Sequence, residues 1–107
     1  MRVEVGHQLG KQGAIPVMDR CLDHILGGVG GSSIQILDKK QTWNDGQMQF
    51  SFTGRVGYIS VPLAGTIDVS EANVIVNMDL PPVVKTFLGE EKIRRIVETN
   101  VREMLTT

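Results

Sequence analysis

The side chains best suited to chemistry are few and widely spaced. His7 and His24 are the two histidines of the chain, and a metal site built on them would need carboxylates converging from elsewhere. His24 borders an apolar stripe and reads as a half-buried packing residue. His7, ahead of the first helix, reads as an N-cap or turn residue that makes hydrogen bonds, and it is the better functional candidate of the two. Asp19 and Asp23 stand four apart, the spacing that puts two carboxylates on one helix face for acid–base work. Helical rotation sets both opposite the apolar stripe, which predicts solvated carboxylates. No serine lies in a Gly-x-Ser-x-Gly turn, so hydrolase chemistry has no support. The lone cysteine, Cys21, excludes an internal disulfide and a multi-cysteine zinc site, and reads as a small core residue.

Two further features invite a functional reading. The glycine-rich run Gly27 to Ser33 looks like a phosphate loop, but such a loop leaves a strand and opens a helix, whereas this one leaves a helix. It reads as a flexible C-cap and linker. Asn100 falls inside the apolar stripe of the last helix, where a buried amide needs a hydrogen-bond partner. The plainer expectation is a tie to a sheet backbone group or a loop; the sharper one is a polar spot in a small pocket. Trp43, Tyr58, Phe87 and the Pro81-Pro82 pair would rim such a pocket or form an exposed apolar patch. With His7, Arg55 and Asn100, these aromatics make up the candidate ligand or partner surface. Catalytic residues, cofactor and metal are predicted to be none, and the chain is expected not to be an enzyme.

The elements that must position these residues follow from periodicity. Val3 and Val5 alternate with Arg2 and Glu4 over Arg2 to Gly6, a half-buried strand. Helical spacing of Ala14, Val17, Met18, Cys21, Leu22 and Ile25 predicts a helix from about Gln12 to Leu26, with Pro16 tolerated near its first turn. Ile34 to Trp43 is a second strand, and Asn44-Asp45-Gly46 a hairpin turn. Met48, Phe50 and Phe52 mark the inward face of a third strand reaching Arg55 and Val56. Gly57-Tyr58 makes the next turn. Ile59, Val61, Leu63, Ile67 and Val69 share one face of a fourth strand, where Pro62 and Gly65 suggest an edge position, bulge or bend. After a turn at Ser70 to Asn73, Val74, Val76, Met78 and Leu80 line a fifth strand. Pro82 to Gly89 is a connecting segment with room for a turn of helix, and a last helix runs from Glu90 to about Leu105, with Ile93, Ile96, Val97, Val101 and Met104 as its stripe.

The order β-α-β-β-β-β-α in 107 residues predicts one α+β domain spanning 1–107, a two-layer sandwich with two helices on one face of an antiparallel sheet. Its open face would carry Gln47, Gln49, Ser51, Thr53, Thr66, Asp68 and Asn77. This order resembles the TATA-box-binding-protein-like fold, whose larger helix-grip relatives hold lipids between a curved sheet and a C-terminal helix. A composition 41% hydrophobic and 21% charged is ordinary for a globular chain. A net charge of −1, from 11 basic and 12 acidic residues, supplies no field for phosphate backbones or anionic lipid. Nucleic acid is therefore disfavoured, and Arg55 is the one basic candidate on the three strands that carry those open-face side chains. No window spans a bilayer and no leader precedes the first strand, so a cytoplasmic location is expected.

Four segments in order resemble the polyhydroxyalkanoic acid system family, small bacterial proteins often encoded near polyester-granule genes and without an established biochemical activity. They are His7-Gln8-Leu9-Gly10, Phe52-Thr53-Gly54-Arg55-Val56, Gly65-Thr66-Ile67-Asp68-Val69 and Asp79-Leu80-Pro81. The glycine-rich linker and the longer Tyr58 to Leu63 stretch depart from that pattern. The resemblance implies a noncatalytic accessory or binding protein whose partner is a granule surface or a granule-associated protein. The rival expectation is a binder of a small hydrophobic or acyl ligand, of helix-grip type, with the ligand beneath the last helix near Asn100. Self-association through a sheet edge is a further expectation.

Overall fold

The computed structural model describes residues 1–29 and 34–106, and of 27–29, 34, 56, 87 and 88 the backbone alone. Strand β1 is Arg2–Gly6 and helix α1 is Gly10–Val29. Four strands follow, β2 (Ile34–Asn44), β3 (Gln47–Val56), β4 (Ile59–Val69) and β5 (Asn73–Asp79). Helices α2 (Pro82–Leu88) and α3 (Glu90–Thr106) close the described chain. The five strands form one antiparallel sheet in the order β1-β5-β4-β3-β2, so the first strand pairs with the last.

This differs from the expected two-helix sandwich in its helices. The segment after Pro82, read as a connection, is a two-turn helix: Pro82 supplies the preset φ of a first helical position, and Gly89 at φ 80° ends it by donating to the carbonyl of Lys85. Helix α1 begins two residues earlier than the spacing suggests and runs on through Gly27 and Gly28. The capping-and-linker reading therefore fails for 27–29; its remainder, 30–33, lies outside the described residues. Pro16 sits in the second turn, with the missing N–H on the exposed side of α1.

Period-2 alternation explains the core. Val3 pairs with Val76, Val76 with Ile67 and Ile67 with Met48 across successive strands, one apolar row crossing the sheet. Met18, Cys21 and Leu22 of α1, with Val97, Val101 and Leu105 of α3, are buried in the same cluster. Two glycines are dictated by geometry. Gly46 (φ 83°) follows Asp45 (φ 46°) in the two-residue β2–β3 turn, a type I′ pair that matches the twist of the flanking strands. Gly65 lies opposite Phe50; a Cβ there would come within 2.6 Å of the Phe50 ring and 2.3 Å of the carbonyl of Asn77. Gly65 thus marks a close approach inside a central strand, not an edge or bulge. Pro62 does occupy an edge: β5 ends at the Ala64–Asp79 pair, so Pro62 pairs with β3 alone.

The bulge is in β2 instead. Register slips between Leu37 and Lys40, with Asp38 at φ 54°. The extra residue switches which face each parity occupies. Ile36 before it and Trp43 after it consequently both pack on the core.

Candidate functional site

The structure gives Asp19 and Asp23 a use that helical rotation alone did not. Asp19 Oδ1 accepts from Trp43 Nε1 at 2.7 Å and from Gln41 Nε2 at 2.9 Å, and the same amide also donates to the Asp19 carbonyl at 3.1 Å. One turn on, Lys39 Nζ pairs with Asp23 Oδ1. Both carboxylates are solvent-exposed, as helical rotation predicts, and in addition fasten α1 to the outer strand β2. Trp43 is half-buried against the core, with its indole N–H satisfied, and does not line the hollow across β2, β3 and β4. Gln41 Oε1 is buried in this seam and has no partner among the described residues.

His7 performs the turn role expected of it. Its Nδ1 accepts from the N–H of Leu9 at 3.2 Å, and its Nε2 donates to the carbonyl of Ser70 at 2.9 Å. These partners assign the neutral Nε2–H tautomer, because one nitrogen must accept while the other donates. The main-chain N–H of His7 also donates to the carbonyl of Ala72 at 2.9 Å. His7 thereby joins the β1–α1 loop to the β4–β5 turn. At the same end of the molecule, Lys11 Nζ lies 3.5 Å from Asp45 Oδ1, passing over Gly46.

The remaining predicted residues do not converge with His7. Tyr58 is fully exposed at the β3–β4 turn, beside Ile59 at 47% exposure, and Arg55 Nε donates to the carbonyl of Gly57 within the same turn. His7 and Tyr58 are separated by the 11-residue length of β4, about 36 Å at the rise of a strand. Phe87 lies in α2, and its side chain is outside the described residues. Asn100 is half-buried and donates to the carbonyl of Ile96 at 2.7 Å, one turn back in its own helix. Among the described residues it ties α3 to no other element, because an amide at the margin of the stripe finds the nearest helical carbonyl before it reaches the sheet. His24 is exposed and not half-buried, since the stripe turns away from it.

Among the described residues no group of three or more His, Cys, Asp or Glu side chains stands close enough to hold a metal ion. Burial pushes the Cys21 thiol up to about 12, which keeps it protonated and poorly nucleophilic. Val97, Val101 and Leu105 of α3 are buried in the same core cluster as α1 and the sheet. A hollow of about 370 Å³ does exist, but it lies across β2, β3 and β4 and reaches Asp79 and Pro81. Of the residues that line it, Pro81 is the one that the sequence reading places at a pocket rim. The β2 bulge, which the apolar pattern does not announce, helps to form it.

No family model, curated protein or solved structure matches the chain.

Proposed function

We propose that this chain is a noncatalytic binding protein whose contact element is the β3–β4 hairpin tip. The observation that carries the reading is the exposure of Tyr58 and Ile59 together at the end of the two longest-paired strands. An aromatic and an aliphatic side chain held out by a two-residue turn lose apolar hydration only when something covers them. The near-neutral charge supports an apolar contact over an electrostatic anchor. Among the described residues no helix is long and apolar enough to cross a membrane.

The resemblance to the polyhydroxyalkanoic acid system family supplies the partner class. In this reading the tip rests on a polyester granule surface or on a granule-associated protein, in the cytoplasm, and the sheet with its helices is a TATA-box-binding-protein-like scaffold. No observation among the described residues favours the helix-grip alternative, so the hairpin tip carries the reading.

Sedimentation of granules from a polyester-accumulating host tests this. The wild-type chain is expected in the granule pellet, and Tyr58→Ser/Ile59→Ser in the supernatant at unchanged thermal stability. A wild-type chain that stays wholly soluble rejects the granule, and a variant that pellets like wild type rejects the tip.

A further inference from the structure

We propose that the open face of the sheet carries a trough for a short extended peptide with opposite charges at its two ends. The trough is a feature of register. Lys40 pairs with Ser51, Ser51 with Ala64 and Ala64 with Asp79, a single row crossing four strands. Alternation sets all four side chains on the face opposite the core, and all four line the 370 Å³ hollow. Its floor is therefore two of the smallest side chains, Ser51 and Ala64. Its ends are an ammonium and a carboxylate.

Size and charge together select the ligand. Three inter-strand steps separate Lys40 from Asp79, about 14 Å. That matches the span of an extended tetrapeptide between its amino and carboxylate ends. The volume lies within the range of small-molecule sites, about 300–1,000 Å³. Among the described residues neither Lys40 nor Asp79 has an ion-pair partner, so neither charge is already spent within the chain. Asp38, at the bulge, is the other charged residue of the hollow and stands on the Lys40 side. It tempers the ammonium, which keeps the affinity in the millimolar range. The peptide lies across the strands, so recognition comes from its end charges and not from an added β-ladder. The site is separate from the Tyr58 tip and does not depend on it.

The test is a titration of the whole ¹⁵N-labelled chain with tetra-alanine bearing free termini, followed by amide chemical shifts. Saturable shifts are expected at Lys40, Ser51, Ala64 and Asp79, with the N-acetylated, C-amidated peptide bound at least about fivefold more weakly. Lys40→Glu and Asp79→Lys each remove one end and are expected to weaken binding by about fivefold. Both residues are exposed, so the fold should survive either change. The double variant Lys40→Glu/Asp79→Lys should restore binding, because the peptide can enter in the reverse direction. Absence of shifts up to about 10 mM peptide, equal binding of the capped peptide, or failure of the double variant to recover would each overturn the proposal.

Discussion

Trp43 on the outer strand β2 donates its indole N–H to the carboxylate of Asp19 on α1 across 2.7 Å, and Gln41 shares the same acceptor oxygen. This contact holds α1 in register with the sheet at a point where the strand has no further neighbour on its open edge. Hydrogen bonds to a charged acceptor contribute about 1.5–3 kcal/mol. The exposed setting of this pair puts the expected value near the lower end.

Asp19→Ala should therefore cost about 1–2 kcal/mol, because it strands the Trp43 N–H as well as removing the acceptor. Urea unfolding measures the loss, and Trp43 fluorescence should report it locally. A double-mutant cycle with Trp43→Phe should return a coupling of about 0.5 kcal/mol or more. Additive effects would mean that the seam does not act as a unit.

Gly65→Ala should destabilise far more than Gly54→Ala. The added methyl at Gly65 meets the Asn77 carbonyl at 2.3 Å and the Phe50 ring at 2.6 Å, whereas at Gly54 the nearest contact is Leu63 at an ordinary 3.6 Å. Overpacking of this kind costs about 1–3 kcal/mol or more. Thermal unfolding of the two variants side by side checks the order, and Phe50→Leu should partly rescue Gly65→Ala by removing the ring.

Cys21 makes stability depend on alkaline pH. Its folded-state value, pushed up to about 12 by desolvation, lies above the ordinary 9.0 of the unfolded chain. Below pH 9 both states hold the proton and nothing is lost. As pH rises from 9 towards 12 the unfolded chain releases its proton first, so stability should fall at up to about 1.4 kcal/mol per pH unit. Cys21→Val removes this component, and the difference in slope between the two proteins measures it. At neutral pH the thiol of the folded chain should react with Ellman's reagent only as fast as the chain opens.

His7→Ala should open the junction between the β1–α1 loop and the β4–β5 turn without unfolding the core. It releases the N–H of Leu9 and the carbonyl of Ser70, at a cost of about 1 kcal/mol. Faster hydrogen exchange at the Leu9 amide is the expected signature, with the amides of the buried β5 row unchanged.

Asn100→Ala, in contrast, should change stability by less than about 0.5 kcal/mol, since the amide bonds only to Ile96 of its own helix. A loss above about 2 kcal/mol in chemical denaturation would show that the side chain does tie α3 to the sheet.

How much was legible depends on the range of the interaction. Val3 and Val5, or Phe50 and Phe52, declare their faces through neighbours two residues away, and Asp45-Gly46 declares its turn through backbone preference alone. The helix at Pro82–Leu88 was legible only as a connecting segment with room for a turn of helix, because seven residues carry too short a period to register. Asp38 was missed because a bulge breaks alternation in the very pattern used to find the strand. Asp19 is exposed as rotation about α1 predicts, but its partners Trp43 and Gln41 were not legible, because rotation says which way a side chain leaves the helix and not what lies in its path.

Local spacing by itself therefore determined the α+β composition, the five strands, the apolar stripes of α1 and α3 and the turn role of His7, since each is written within a few consecutive residues. Tertiary structure decided what depends on pairs far apart in the chain. The return of β1 to pair with β5, the fastening of Asp19 to Trp43, the distance between His7 and Tyr58 and the row from Lys40 to Asp79 all depend on strand register. Register is set by the packing of the whole sheet against its helices, and no single segment encodes it.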